Sequence, residues 1–261
     1  MSHPRNINER LMALSLAAYK DPIQHQLRVQ CADKYRVREY VKSKGLEDIL
    51  IPFYGEYDSF DEIDFDKLPN QFVIQTNFGS GQIWICKDKT SADIEKWHKQ
   101  FDEWMAIKDF GWRTGEWQYN EIPHKLVITK YLDSLGAMSI NDYKFHCING
   151  HIYACLVGYD RDIEHHQVQL DLYDTDWNLM DGIHVYKHPY QKPIPKPKSL
   201  SKMLKIAETL SASSKYVRVD LYEIGGDVMF GEMTFTPSAN IMFSHTSERL
   251  IDMEQFFEST K

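Results

Sequence analysis

The sequence predicts an α+β fold, and three observations carry that prediction. Helical periodicity runs through residues 6–18, 34–44, 92–105 and 199–211. Asn149-Gly150, a dipeptide that favours two-residue turns matched to strand twist, separates strand-like runs at 143–148 and 151–157. Another pair of alternating runs flanks Gly225-Gly226 near the carboxyl end.

In chain order, the helix at 34–44 is opened by Asp33 as N-cap and closed by Gly45. Phe72-Val73-Ile74-Gln75-Thr76 reads as a strand, followed by Asn77-Phe78-Gly79-Ser80-Gly81-Gln82 and a second strand at 83–86. The amphipathic helix at 92–105 begins after Ser91, and residues 126–132 form another strand. Residues 187–198, rich in proline and lysine, read as an extended surface loop.

A chain of 261 residues can form one large domain or two small lobes. The formal charge of −8 and the lack of a basic block argue against nucleic acid as a partner. No apolar run approaches the roughly 20 residues that span a bilayer. Nothing near the amino terminus combines a basic start with an apolar stretch, so a cytoplasmic protein is expected. Cys31, Cys86, Cys147 and Cys155 form no CxxC pair, which suggests reduced thiols and gives no support for zinc. His165-His166 would point to opposite faces of a strand, which makes a poor metal pair.

The last hairpin carries the densest chemistry. Val217, Val219 and Leu221 share one face; Arg218, Asp220 and Tyr222 share the other. A three-residue loop, Gly225 to Asp227, would set Asp220 opposite Glu232 and Arg218 opposite Thr234. It would also gather Met229, Met233 and Phe235 on the apolar face, whereas a one-residue slip scrambles that face. Two carboxylates, a guanidinium and a hydroxyl on one surface suit a hard cation holding polyphosphate. A solvated polar sheet face reads the same pattern equally well. Gly79-Ser80-Gly81, between two strands, would let backbone amides approach phosphates, although it lacks the Walker lysine and opens no helix.

From about Asp33 to Phe243 the chain resembles the TupA-like group of ATP-grasp proteins, associated with bacterial surface polysaccharide and teichuronopeptide synthesis. The resemblance rests on Asp33-Lys34-Tyr35 with Val37-Arg38-Glu39-Tyr40-Val41, Tyr57-Asp58-Ser59-Phe60-Asp61-Glu62-Ile63, and Leu68-Pro69-Asn70-Gln71-Phe72-Val73. It continues through Thr76-Asn77 with Gly79-Ser80-Gly81, Asp142-Tyr143-Lys144-Phe145, and Tyr173-Asp174 with Asp176-Trp177-Asn178. It closes on Arg218-Val219-Asp220-Leu221-Tyr222 and Gly231-Glu232-Met233-Thr234-Phe235 with Pro237.

That resemblance implies a helical amino-terminal region (1–50), a first ATP-grasp lobe with the glycine loop (51–128) and a second lobe with the metal hairpin (129–261). Antiparallel sheets of the two lobes would enclose ATP. By motif position Asp220, Glu232 and Thr234 resemble Mg2+ ligands, Arg218 the phosphate clamp, and Lys144 and Lys34 phosphate contacts. Gly79, Ser80 and Gly81 resemble the loop over the phosphates. Thr129, Lys130, Tyr131 and Leu132 resemble the adenine hinge, Asp142 lies by the ribose, and Arg161 is a further anion contact. Gln75 stands where the family pattern has a nucleotide-contacting lysine, Phe78 where it has histidine, and Thr129 where glutamate is frequent. Lys87, on the following strand, is a candidate source of the missing charge.

The implied activity is an ATP-dependent carboxylate–amine ligase working through an acyl-phosphate. Its partners would be a uronic acid or glycan intermediate and an amino acid, at a glycan assembly complex on the inner face of the membrane. Asp220→Asn should then abolish turnover with the fold intact. The alternatives are a catalytically weakened nucleotide-binding scaffold, supported by Gln75, and a glycosyltransferase using Asp174-Thr175-Asp176 as a DxD metal site.

Overall fold

The computed structural model describes residues 4, 6–137, 139–162, 167–180, 193–240, 253 and 255–260. Three helices lead. α1 (Ile7–Lys20) starts where the Asn6 side chain accepts from the Glu9 amide, and α2 (Pro22–Ala32) where Asp21 accepts from the Ile23 and Gln24 amides. Asp33 accepts from the Tyr35 and Arg36 amides at 2.8 and 3.2 Å, as its capping role predicts. A turn intervenes, however, so α3 (Val37–Ser43) begins three residues later than expected. Gly45 ends it with φ +74°.

A four-stranded antiparallel sheet follows, ordered β1-β4-β2-β3, from β1 (Phe53–Tyr57), β2 (Phe72–Thr76), β3 (Ile83–Cys86) and β4 (Leu126–Lys130). α4 (Ile94–Met105) is capped by Asp93 and so begins two residues later than expected. Its Trp97 and Phe101 cover Phe72, Ile74, Leu126 and Ile128. These are alternate residues of β2 and β4, one face of the pleat. The opposite face carries Glu56, Val73, Gln75, Ile83, Ile85, Val127 and Thr129, of which only Val127 is fully buried. The short α5 (Phe110–Thr114) and a 3-10 turn at Trp117–Glu121 return the chain to β4.

The second sheet is five-stranded and antiparallel, in the order β7-β6-β5-β8-β9. It comprises β5 (Asp142–Ile148), β6 (His151–Asp162), β7 (Gln167–Tyr173), β8 (Tyr216–Ile224) and β9 (Asp227–Thr234). Asn149 and Gly150 turn β5 into β6 with φ +52° and +82°, as a primed turn requires. α6 (Leu200–Ser211) lays Met203, Ile206, Ala207 and Leu210 on Phe145, Cys147, Val217, Val219 and Met233. Each such fully buried side chain contributes about 1.5–3 kcal/mol, and one face of this sheet is thereby closed.

The β8–β9 hairpin meets the expected pairing by a different route. Its turn is two residues, with Ile224 opposite Asp227, and not the three-residue loop. A bulge between Asp220 and Leu221 leaves Gly231 unmatched and restores Asp220 opposite Glu232 and Arg218 opposite Thr234. A Cβ on Gly231 would stand 2.9 Å from the Asp220 carbonyl oxygen, which explains a glycine there. The bulge also reverses parity towards the turn: Val228 and Phe230 join Met233 and Phe235 in the core, and Met229 does not.

The four cysteines are free and buried. Among the described residues no helix is long and apolar enough to cross a membrane. His165-His166 lies outside the described residues, as does 187–192 of the proline-lysine segment. Its described part is anchored: the Ile194 amide donates to Tyr173 Oη at 2.9 Å, and its carbonyl accepts from Trp177 Nε1.

Candidate functional site

The open face of the second sheet collects its charges in cross-strand rows. Lys144, Asp220 and Glu232 stand side by side on β5, β8 and β9. The next row is His146, Arg218 and Thr234; on the other side Asp142 pairs with Tyr222. Direct neighbours on one face lie about 4.5–5.5 Å apart at Cβ, so these side chains meet without any loop to arrange them.

Arg218 binds Asp220 through two donors, Nε to Oδ1 and Nη2 to Oδ2, each at 2.6 Å. Its Nη2 also donates to Glu232 Oε1 at 2.8 Å and Thr234 Oγ1 at 3.1 Å. Thr234 in turn donates to Glu232 at 2.7 Å. Lys144 donates to Asp220 at 2.7 Å and to Asp142. Arg161 stands at the rim, 3.7 Å from Asp142.

Burial is the largest influence on each inner group. It raises the Asp220 carboxyl, but Arg218 and Lys144 outweigh it and hold the acid below its usual range. It lowers the Lys144 ammonium, which Asp220 and Asp142 nonetheless keep above its ordinary value. The buried Asp142 carboxyl is pushed up, with one oxygen lacking any hydrogen-bond partner. Burial, aided by Arg218, holds the His146 imidazole down at about 3 and hence neutral.

This donor set fits a hard cation. It is all oxygen, the Glu232 side chain is 43% exposed, and the unmatched Asp142 oxygen adds acceptor capacity. No cluster of three or more candidate ligands occurs among the described residues. Mg2+ needs none, because it usually takes one or two carboxylates and completes its shell with phosphate and water.

Lys34 holds the glycine hairpin and feels the charge of Glu232 on this face. Its ammonium donates to the Gly79 carbonyl at 2.8 Å and its amide to the Asn77 carbonyl at 3.0 Å. Burial lowers its pKa against the opposing pull of Glu232, Asp33 and Glu116, which places it among the acids of both regions. Gly79 has φ +68°, and a Cβ there would stand 2.9 Å from Gln82 Oε1. Thr76 Oγ1 closes the hairpin base by donating to Phe78 O and Gln82 Oε1. Phe78 is fully buried, stacked on His124 with centroids 3.6 Å apart.

Other expected site residues stay apart from the charged rows. Gln75 faces Val127 and Ile83, and Thr129 faces Val73, on the open side of the first sheet. Lys130 ends β4, with Tyr131 and Leu132 leading away from it. No hydrogen bond or ion pair joins Gln75 or residues 129–132 to the rows. Lys87 does not replace the missing lysine: it lies opposite Gln71, four residues and about 13 Å along the strand from Gln75. Asp174 accepts from the Asp176 and Asn178 amides and the Asn178 side chain, so it serves a local turn rather than a DxD metal site.

Three neighbours of the site went unread. Glu116 accepts from Thr236 at 2.7 Å and faces Glu232 and Lys34, but an irregular segment delivers it and no periodicity marks it. His146 continues the alternation Asp142, Lys144, which was a usable signal. Lys125 falls two residues before Val127, on the Gln75 side of the sheet, and is ion-paired with Asp58 at 2.8 Å.

Two antiparallel sheets, a glycine hairpin on one and paired acids on the other, define an ATP-grasp fold. Solved structures agree. The D-alanine–D-alanine ligase of Bacillus anthracis complexed with ATP matches at 16% identity and TM-score 0.51, over 88% of this chain and 63% of that one. Phosphoribosylamine–glycine ligase of Thermotoga maritima matches at 14% and 0.51, over 90% and 56%. At such identities the likeness establishes the fold, and the chain spans less than two thirds of either ligase. The chain belongs to the TupA-like ATP-grasp family, whose model matches residues 10–254. No curated protein matches it in sequence.

Proposed function

We propose that the protein is an ATP-dependent carboxylate–amine ligase. One observation carries this reading: Arg218, Asp220, Glu232, Thr234 and Lys144 form a single oxygen-rich, cation-backed surface, and Lys34, bonded to the glycine hairpin, lies within the electrostatic reach of its Glu232. In this reading Glu232, Asp220 and Thr234 hold Mg2+, which supplies charge neutralisation on the phosphates. Arg218 and Lys144 hold the transferring phosphoryl group, releasing part of their grip on Asp220 as ligand charge arrives. Lys34 and Gly79, Ser80 and Gly81 cover the phosphates and exclude water. Residues Thr129, Lys130, Tyr131 and Leu132 present backbone groups to adenine, Gln75 lies beside them, Asp142 takes the ribose and Arg161 a further anion. No side-chain nucleophile is required: phosphorylation of the substrate carboxylate lets an amine displace phosphate. The acceptor we assign is a uronic-acid or amino-acid carboxylate in surface polysaccharide synthesis, at the cytoplasmic face of the membrane.

The test is calorimetric titration with a non-hydrolysable ATP analogue, with and without Mg2+. Glu232→Gln is a cleaner variant than Asp220→Asn. Asp220 is only 2% exposed and holds two cations, so its amide would disturb the fold as well as the site. Mg2+-dependent binding that weakens at least tenfold in Glu232→Gln supports the ligase and justifies assaying ADP release with uronic acids and amino acids. Binding unchanged in Glu232→Gln removes the metal assignment. No binding to the wild type removes the ligase reading and leaves a degenerate scaffold, whereas binding without turnover favours the nucleotide-binding scaffold; uncharged Gln75 is the supporting observation for either.

A further inference from the structure

Arg28 is a buried guanidinium with no counter-ion. Its residue is 7% exposed, yet among the described residues no carboxylate lies within ion-pair distance. Among those residues its one hydrogen bond goes to Ser15 Oγ at 3.3 Å, and its guanidinium carbon sits 5.3 Å from the centre of the Phe235 ring. Burial alone lowers its pKa, to about 10, with no acid raising it. An uncompensated buried charge costs several kcal/mol unless something pairs with it. Five donors served by a single hydroxyl leave most of that charge unanswered.

Arg28 lines a cavity of about 550 Å³ between α1, α2, the β5–β6 turn and the α6–β8 junction. None of the charged rows, the glycine hairpin or residues 129–132 contributes to its wall. Asn149 and Ser214 also line the cavity, but Asn149 Oδ1 and Ser214 Oγ are closed off from it, so neither offers a contact there. Lys215 and Asp21, both exposed, stand at the rim. The wall therefore asks for an anion at Arg28 and for a donor at Asp21. A volume of this size suits one amino acid or one monosaccharide.

We infer that this cavity is a second small-molecule site, taking a carboxylate that carries hydroxyl or ammonium groups on neighbouring atoms. The carboxylate pairs with Arg28, drawing also on Lys215. A hydroxyl or ammonium donates to Asp21, whose charge favours an ammonium. The site is separate from nucleotide binding, so its test requires no nucleotide.

Thermal unfolding of the full chain, followed by fluorescence, reads it directly, with D-glucuronate, L-alanine, D-glucose and inorganic phosphate each added alone. Either carboxylate should raise the melting temperature saturably, by roughly 5 °C or more at a hundredfold excess over Kd. Response to alanine assigns the donor as ammonium, and response to glucuronate assigns it as hydroxyl. Glucose should be silent. Arg28→Gln should abolish the response while melting no lower than the wild type without ligand, because it removes an unpaired buried charge. Asp21→Asn, which keeps the helix cap, should weaken the response about fivefold by replacing a charge-assisted contact with a neutral one. Silence of both carboxylates, an equal response to glucose, a response to phosphate alone, or a response that survives both substitutions would overturn the site.

Discussion

The two sheets present opposite kinds of open face. That of the second sheet holds Asp142, Lys144, Arg218, Asp220 and Glu232, cross-linked so that nearly every charge has its partner. That of the first sheet is mainly apolar and uncharged, with Val73, Gln75, Ile83, Ile85, Val127 and Thr129; its charges are Glu56 and Lys125, the latter committed to Asp58. A polyphosphate placed between them meets fixed charge from one side and from Lys34, and little from the other. Charge-handling is thus concentrated in one half of the molecule, and the other half is left to shape and backbone contacts. Each prediction below disturbs one side of that contrast.

The largest effect belongs to Asp220→Ala. It leaves Arg218 and Lys144 buried with half their counter-charge, and breaking a buried pair of this kind costs about 3–5 kcal/mol. Urea unfolding should show that loss at neutral pH, whereas Asp58→Ala, which breaks the exposed pair with Lys125, should cost at most about 1 kcal/mol. Equal losses would mean that the charged rows are no more integrated than the surface.

The same burial predicts an acid response. The His146 imidazole stays neutral in the folded chain down to about pH 3, against 6.5 for its ordinary value. Between those limits the unfolded state binds the extra proton and the folded state does not. Stability should therefore fall as pH is lowered through that window, at about 1.4 kcal/mol per unit from this group. Burial is the chief cause, with Arg218 and Lys144 adding to it and Asp220 opposing. Comparing urea midpoints of the wild type and His146→Gln from pH 7 to pH 4 isolates the contribution. Parallel pH profiles would show that His146 is protonated in the fold and that the rows are less enclosed than their geometry indicates.

The contrast also explains what the sequence could disclose. Strict alternation exposed the second sheet's chemistry because Arg218, Asp220, Glu232 and Thr234 lie on regular strands with period two. The same rule misplaced Met229: the bulge at Gly231 adds a residue that alternation cannot count, and only steric contact with the Asp220 carbonyl identifies it. β7 carried a readable signal in Val168, Leu170 and Leu172, and α2 carried one in Asp21-Pro22. β1, interrupted by Gly55 and a register shift, carried almost none. Glu116 and Arg28 were invisible for another reason. Their significance lies in what surrounds them, and contacts with Thr236 or Phe235, more than a hundred residues away, leave no local pattern.

The smallest expected effect bears most directly on the face of the first sheet. Gln75→Lys introduces an ammonium opposite Val127 and Ile83, where that face now offers an amide. A charge-assisted contact exceeds a neutral one by about 1 kcal/mol, so affinity for a nucleotide triphosphate analogue should rise about fivefold. Lys125, on the same face, opposes the gain by like-charge repulsion, although Asp58 holds it and limits the penalty. Because the added charge would act on phosphate, the gain should shrink with added salt and be smaller for the diphosphate than for the triphosphate. If affinity does not change with either nucleotide, the phosphates lie against the second sheet and Lys34 alone, and Gln75 belongs to the base-binding wall. The first sheet would then contribute no charge to the site at all, which is the sharpest form the contrast between the two faces can take.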